Sequence, residues 1–325
     1  MNNNLPQKSG NNSITETNSL KNLMTARNSA LNPMDYNVRI TRNNPGSIVV
    51  LLDQSGSMSN EYRGKTKAEA VADVVNDLLN DLVSKCQREG YVRDYCQVLI
   101  IGYGQKQEGS SHKPVFCWEG NLKGKDWVKV SELKNNVLES IVNEKQEEMP
   151  WGEVIKSTIT KNIWIKAIAD GLTPMKAALE LCYDKIEDWV CDFPDSYPPL
   201  VFNITDGYPT DVKHNDELMD VCNRIKSIRT NHGNVLLFNS LYTADGTMTR
   251  LPLIDQAIDF EDDYHKTLFE SSSLLPSKMK QKAYEKYGNE DFLNKNPVGV
   301  IINADVKSIA DLLNFGTNTL IDAFE

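Results

Sequence analysis

The 325-residue chain lacks most of the features that would assign it at a glance. Its longest apolar runs, such as Ile48–Leu52, have the length of a core strand and are far too short to span a bilayer. The stretch Met1–Ser13 has no apolar segment of the kind a secretory signal requires, so a cytoplasmic protein without a membrane partner is expected. Six cysteines, at 86, 96, 117, 182, 191 and 222, form no CxxC pair. That spacing argues against zinc-ribbon and dithiol redox motifs and leaves buried, reduced thiols. Four histidines, at 112, 214, 232 and 265, make no HxxxH pair and no Ser-His-Asp order around a nucleophile elbow. Basic charge is in deficit, with 35 Lys and Arg against 45 Asp and Glu and a net charge of −10, which argues against a broad phosphate-binding face and a nucleic-acid partner. Phosphate loops are missing too. There is no GxxxxGK[ST], and Gly102-x-Gly104 is followed by Gln107 where a third glycine belongs. An EF-hand loop begun at Asp53 would need Glu at its twelfth position, which is Gly64.

What is present is ordinary globular material, 40% hydrophobic and 25% charged. Residues 1–45, rich in Asn, Ser and Thr, read as a mostly disordered arm. Beyond it, buried-strand runs alternate with helical periodicity. Ile48–Leu52 predicts a strand buried on both faces. Thr66-x-x-Glu69 predicts a capping box for a helix whose stripe is Ala68, Val71, Val75, Leu78, Leu82 and Cys86, with Gly90 at its C-terminal cap. Strands are expected at Gln97–Tyr103 and Val115–Trp118. An inserted segment, about 120–165, should hold a hairpin whose second arm includes Ile159, Ile163 and Ile165, with Trp118, Trp127, Trp151 and Trp164 packing it or, as the alternative, forming a partner-binding surface. Pro174 suits a helix's first position, ahead of Met175, Ala178, Leu179, Cys182 and Ile186. Further strands are expected at Leu200–Thr205, Asn234–Leu241 and Val298–Asn303. Helices are expected through Leu218–Ile228, over a charged insertion at about 262–287, and through Val306–Leu313. This alternation predicts an α/β fold: a doubly wound, mostly parallel sheet with helices on both faces, spanning 46–325. In such sheets ligands bind beyond the carboxyl ends of the strands.

Three turns at that edge carry oxygen ligands. Asp53, Ser55 and Ser57 follow the first strand at a spacing of two, which puts them on one side of an extended segment. Thr173 precedes the Pro174 helix, and Asp206-Gly207 follows the Leu200–Thr205 strand. Two carboxylates and three neutral hydroxyls form a hard, lightly charged set suited to Mg²⁺ or Mn²⁺ and not to zinc or copper. An ion so held retains waters and accepts an anionic oxygen from outside. Asp211 reads as the N-cap of the helix that follows it, with a supporting role behind the ligands as the alternative, and Asp53 as an exposed loop carboxylate that contributes little to the core.

Asp53-x-Ser55-x-Ser57, Thr173 and Asp206-Gly207 together resemble the metal-ion-dependent adhesion site of von Willebrand factor A (VWA) domains. Leu51–Met58, Gly171–Met175 and Ile204–Gly207 resemble intracellular bacterial members of that family, the tellurite-resistance-associated group and relatives from stress or conflict operons. Leu268-Phe269-Glu270 and Asn303-Ala304-Asp305 extend the likeness over about residues 45–320. One departure is Gly171-Leu172-Thr173 where many relatives have Gly-Gly-Thr. The resemblance implies that the serines and the threonine or an aspartate touch the metal, with aspartates often acting through water.

The expected function is that of a binding module, not an enzyme: the metal accepts an acidic side chain of a partner protein. Specificity would come from the inserted segment and from the loops after Tyr103 and Leu241. A metal-dependent phosphohydrolase and a scaffold with a structural metal are the alternatives. The first lacks an Asp-x-Asp after the opening strand, since position 55 is Ser.

Overall fold

In a computed structural model the structure describes residues 36–324 apart from 63, 107–111, 149–153, 244–245, 257, 259 and 261. The expected doubly wound sheet forms. Its first strand, β1 (Gly46–Asp53), is buried at every position. Ile48, Val50 and Leu52 point into one core while Val49 and Leu51 point into the other, so an unbroken aliphatic run is what a two-faced strand requires. Helix α1 (Lys67–Lys85) follows, started by the Thr66–Glu69 capping box in full. Then come β2 (Cys96–Tyr103), the edge strands β3 (Val115–Phe116) and β4 (Val128–Lys129), the short α2 (Val130–Asn135), and the hairpin of β5 (Glu139–Glu148) and β6 (Val154–Ile163). The rest of the chain supplies α3 (Met175–Asp192), β7 (Leu200–Thr205), α4 (Asn215–Ser227), β8 (Leu236–Leu241), β9 (Thr249–Arg250), α5 (Asp263–Ser271), α6 (Ser277–Tyr287), β10 (Val300–Ile302) and α7 (Val306–Ile321).

The sheet order is β9-β10-β8-β7-β1-β2-β3, with β4 also on β2. From β10 to β2 the neighbours run parallel, and the flanking strands β9, β3 and β4 run antiparallel. The chain winds outward from β1 to β2, then crosses to β7 and winds the other way. The helices after β1 and β7 leave toward opposite faces, because α1 joins the core of Ile48 and Val50 while α4 joins that of Val49 and Leu51. The carboxyl ends of β1 and β7 therefore flank the point where the winding reverses, which is where sheets of this kind form their ligand-binding crevice. Each large aliphatic side chain removed from water on either face contributes about 1.5–3 kcal/mol.

Several expectations change at the ends of elements. Residues 36–45 do not belong with the arm. Tyr36 donates its backbone N–H to the His232 carbonyl at 2.8 Å, and Ile40 is fully buried with its N–H on the Ala323 carbonyl at 2.6 Å. The remainder of the arm, residues 1–35, lies outside the described residues. Gly90 is not the cap of α1, whose C-cap is Cys86. With Glu89 (φ 50°) and Gly90 (φ 85°) both left-handed, it forms the two-residue turn of a small hairpin, Gln87–Arg88 with Tyr91–Val92. Pro174 stands just before α3. The charged stretch 262–287 is two helices parted at Pro276, α5 lying in the Val49 core and α6 in the Ile48 core. Trp118 and Trp164 are buried, and Trp127 stacks with Trp189 at 5.7 Å. Trp151 is outside the described residues. The six thiols are free, and Cys191 is the exposed one.

Candidate metal centre

The three ligand-bearing turns are laced together by backbone. Gly56 N–H donates to the Gly171 carbonyl at 3.0 Å, and Asp170 N–H donates to the Gln54 carbonyl at 2.7 Å. Thr210 N–H donates to the Thr173 carbonyl at 2.9 Å, and Thr173 N–H returns to the Thr210 hydroxyl at 3.0 Å. Gly104 and Gly171 make this closeness possible. Both have positive φ, 121° and 98°, and a Cβ on Gly104 would stand 2.6 Å from both the Leu172 carbonyl oxygen and the Ser55 nitrogen. Only glycine fits where three backbones meet this tightly.

Asp53 lies at the end of β1 and is 2% exposed, contrary to the expectation of a free loop carboxylate. One oxygen accepts the Ser55 N–H at 2.9 Å, and the other accepts the Thr205 hydroxyl at 2.7 Å and the Asp206 N–H at 3.4 Å. Burial pushes its carboxyl above the usual carboxylate range, while the bonds from Ser55 and Thr205 pull the other way. Removing this carboxylate would leave the Ser55 and Asp206 N–H groups without these acceptors, so Asp53 is structural as well as a candidate ligand. Ser55 and Ser57 hydroxyl oxygens are 3.0 Å apart, and the Ser57 hydroxyl donates to Asp206 Oδ1 at 2.6 Å. Thr173 is 6% exposed at the mouth of α3. The structure thus brings all five residues to one edge.

Lys67 was not anticipated at the site, and Asp211 supports it by a route the sequence did not indicate. Lys67, the first residue of α1, reaches Asp206 Oδ2 with its ammonium at 2.9 Å. Its position at the polar start of a helix gave no sign of this. Asp211 does not cap the helix after it, whose cap is His214. Its two oxygens accept the backbone N–H groups of Lys176 and Ala177, at 3.1 and 2.8 Å, in the first turn of α3. It caps from across the crevice and so ties the Thr173 turn to the segment after β7.

The oxygen set fits a small, hard divalent ion. Cis oxygens of an octahedral Mg²⁺ shell with bonds of about 2.1 Å lie about 3.0 Å apart. The Ser55–Ser57 spacing has that value. No cluster of three or more His, Cys, Asp or Glu side chains suited to a metal occurs among the described residues, so the hydroxyls carry much of the set. Beneath it lies a buried polar layer. Tyr103 donates to Asn203 Oδ1 at 2.9 Å, Asn203 Nδ2 to Asn239 Oδ1 at 3.0 Å, and Asn239 Nδ2 to the Ser272 hydroxyl at 2.9 Å.

No protein-family model and no curated protein matches the chain. Among solved structures it is similar to the pilus adhesin SpaC of Lactobacillus rhamnosus GG, at 11% identity and a TM-score of 0.45, covering 87% of this chain and 31% of that one. It is also similar to the manganese-loaded TRAP protein of Plasmodium vivax, at 19% identity and a TM-score of 0.32, over 61% and 57% of the two chains. An aerotolerance-related membrane protein of Bacteroides fragilis is similar at 9% identity and a TM-score of 0.39, over 84% and 98%. The chain thus spans about a third of the length of the first adhesin. Among the described residues no helix is long and apolar enough to cross a membrane.

Proposed function

We propose that the chain is a divalent-cation-dependent protein-binding module, in which Ser55, Ser57, Thr173, Asp53 and Asp206 hold Mg²⁺ or Mn²⁺ and the ion accepts a carboxylate from a partner protein. The single observation that carries this reading is the run of close oxygens at the reversal point of the sheet, with the Ser57 hydroxyl 3.0 Å from that of Ser55 and 2.6 Å from Asp206 Oδ1. The resemblance of these segments to intracellular bacterial VWA proteins supports it and suggests a cytoplasmic role in a stress-response or conflict system. When bound, the ion supplies an uncancelled positive charge. The protein's own residues fix the ligands: Asp53 is locked by Ser55 and Thr205, and the Thr173 turn is locked by Thr210 and Asp211.

The rim would supply selectivity. Leu172, next to Thr173 in the chain, and Tyr208, two residues after Asp206, are 51% and 59% exposed. An acidic side chain flanked by apolar residues fits such a rim, since the carboxylate meets the ion while the neighbours cover the two side chains.

Calorimetric titration with Mg²⁺ and Mn²⁺ tests the site. One ion should bind per chain, and Ser57→Ala should weaken it without unfolding the protein, because Ser57 is exposed. Equal binding by wild type and Ser57→Ala would refute the assignment. A partner captured from its native lysate should be released by EDTA and bound less by Thr173→Ala. Phosphatase assays should stay at background, and turnover that depends on Asp206 would favour the hydrolase instead.

A further inference from the structure

Lys67 occupies a place that two separate costs argue against. It is 9% exposed, and lysine is almost never that buried without a partner. It is also the first residue of α1, where the unpaired N–H groups of a helix make a positive end that disfavours cations. What holds it there is Asp206, whose side chain is fully buried: Oδ2 accepts from Lys67 Nζ at 2.9 Å, while Oδ1 faces Ser57 at 2.6 Å. The Tyr242 ring backs the ammonium, with its centroid 5.6 Å from Nζ. One carboxylate is therefore shared, one oxygen to a fixed cation and the other to the side where the ligand hydroxyls stand.

We infer that Lys67 is a built-in counter-cation that makes divalent-ion binding conditional on an incoming carboxylate; this rests on the metal-site reading above. In the ion-free protein the ammonium keeps Asp206 from being buried as an unpaired charge. Two carboxylates alone would neutralise a divalent ion. With Lys67 beside them, the same ion retains one net positive charge among these groups, in a crevice where charges are poorly screened. Lys67 thereby weakens the binary ion complex and strengthens the ternary one, because an arriving carboxylate restores neutrality. The site would be a coincidence detector for cation and acidic ligand and not a permanent metal store.

Calorimetry with Mn²⁺ in sodium acetate, against sodium chloride at equal ionic strength, tests this with Lys67→Gln, Lys67→Met and Lys67→Arg. Gln keeps a donor for Asp206 without charge, in case Met leaves the ion-free protein unfolded. Wild type should bind Mn²⁺ more tightly in acetate than in chloride. Lys67→Gln should bind Mn²⁺ about tenfold tighter in chloride and lose most of the acetate dependence, as expected from removing a like charge beside the ion. Lys67→Arg should behave as wild type. The melting temperature without metal should fall in Lys67→Met, and the rise caused by Mn²⁺ should be larger than in wild type. Wild-type binding with Lys67→Gln no tighter in chloride would overturn the role of Lys67 alone. No Mn²⁺ binding by wild type at all would overturn the metal-site reading and this inference together.

Discussion

Two places in the molecule are built from polar side chains that reach across the fold, and they end differently. At the root of the β5–β6 hairpin, Asn76 and Asn80 of α1 act as a short artificial strand. Asn76 Oδ1 accepts the Trp164 and Ile165 N–H groups at 2.9 and 3.3 Å, while its Nδ2 donates to the Ile165 and Ala72 carbonyls at 3.0 and 2.9 Å. Asn80 takes the Asn162 N–H at 3.1 Å and gives to its carbonyl at 2.7 Å. Every donor there meets an acceptor, and nothing is left over. At the carboxyl ends of β1 and β7, the oxygens of Asp53 and Asp206 also meet donors, from Ser55, Thr205, Asp206, Ser57 and Lys67, but the carboxylate and serine oxygens keep lone pairs beyond those bonds. A balanced cluster is a fastener, and one with surplus lone pairs is a receptor for a cation. Residue type alone does not separate the two, but the donor-to-acceptor ratio does.

That contrast can be broken by substitution. The Ser55→Ala/Ser57→Ala pair should lose roughly a hundredfold in Mn²⁺ affinity, about 2.7 kcal/mol, with the ion-free melting temperature almost unchanged. A large loss of stability instead would show that the serines fasten the fold. Asn76→Ala should do the reverse, costing about 2 kcal/mol in urea unfolding through two stranded N–H groups, with Mn²⁺ affinity intact. Asp211→Ala should cost ~1 kcal/mol, as loss of a helix N-terminal cap does, and should also loosen the Thr173 turn, so that metal affinity falls modestly. Lys161→Met removes a half-exposed ion pair to Asp73 and Asp77 at the hairpin root, 3.1 and 2.9 Å long. It should shift stability by only about 0.2–1 kcal/mol, and less in high salt. A cost well above that would mean the hairpin hangs on charge and not on the asparagines.

The sheet and the five candidate ligands were legible because each has a local signature. Ile48–Leu52 is a buried strand by composition, and Asp53, Ser55, Ser57, Thr173 and Asp206 each follow a strand or precede a helix in recognisable dipeptides. What escaped notice acts at long range. Lys67 looks like a solvated residue at a helix start, and its partner Asp206 is 139 positions away. Asp211 looks like a local cap and instead serves a helix 35 positions earlier. Asn76 and Asn80 sit in a strongly helical stretch where an amide is usually an exposed filler. Tyr36 and Ile40 sit in an Asn-rich context that masks two buried anchors. Polar residues are read from a sequence by their neighbours along the chain, whereas these are placed by neighbours across it.

The amide pair beneath the crevice has a consequence for assembly of the sheet. Asn203 and Asn239 are opposite each other on adjacent parallel strands, β7 and β8, bonded at 3.0 Å in strands whose other residues are mostly apolar. A slip of two residues between those strands would keep every side chain on its proper face and pair almost the same number of valines, leucines and phenylalanines. Hydrophobic patterning alone would barely distinguish that misalignment from the native one. It would, however, part the two amides and cost the buried bond between Asn203 Nδ2 and Asn239 Oδ1. The pair therefore acts as an alignment key. The chain spends apolar surface at two positions so that β7 and β8 can zip in one register, which sets Thr205, the residue before Asp206, level with Leu241.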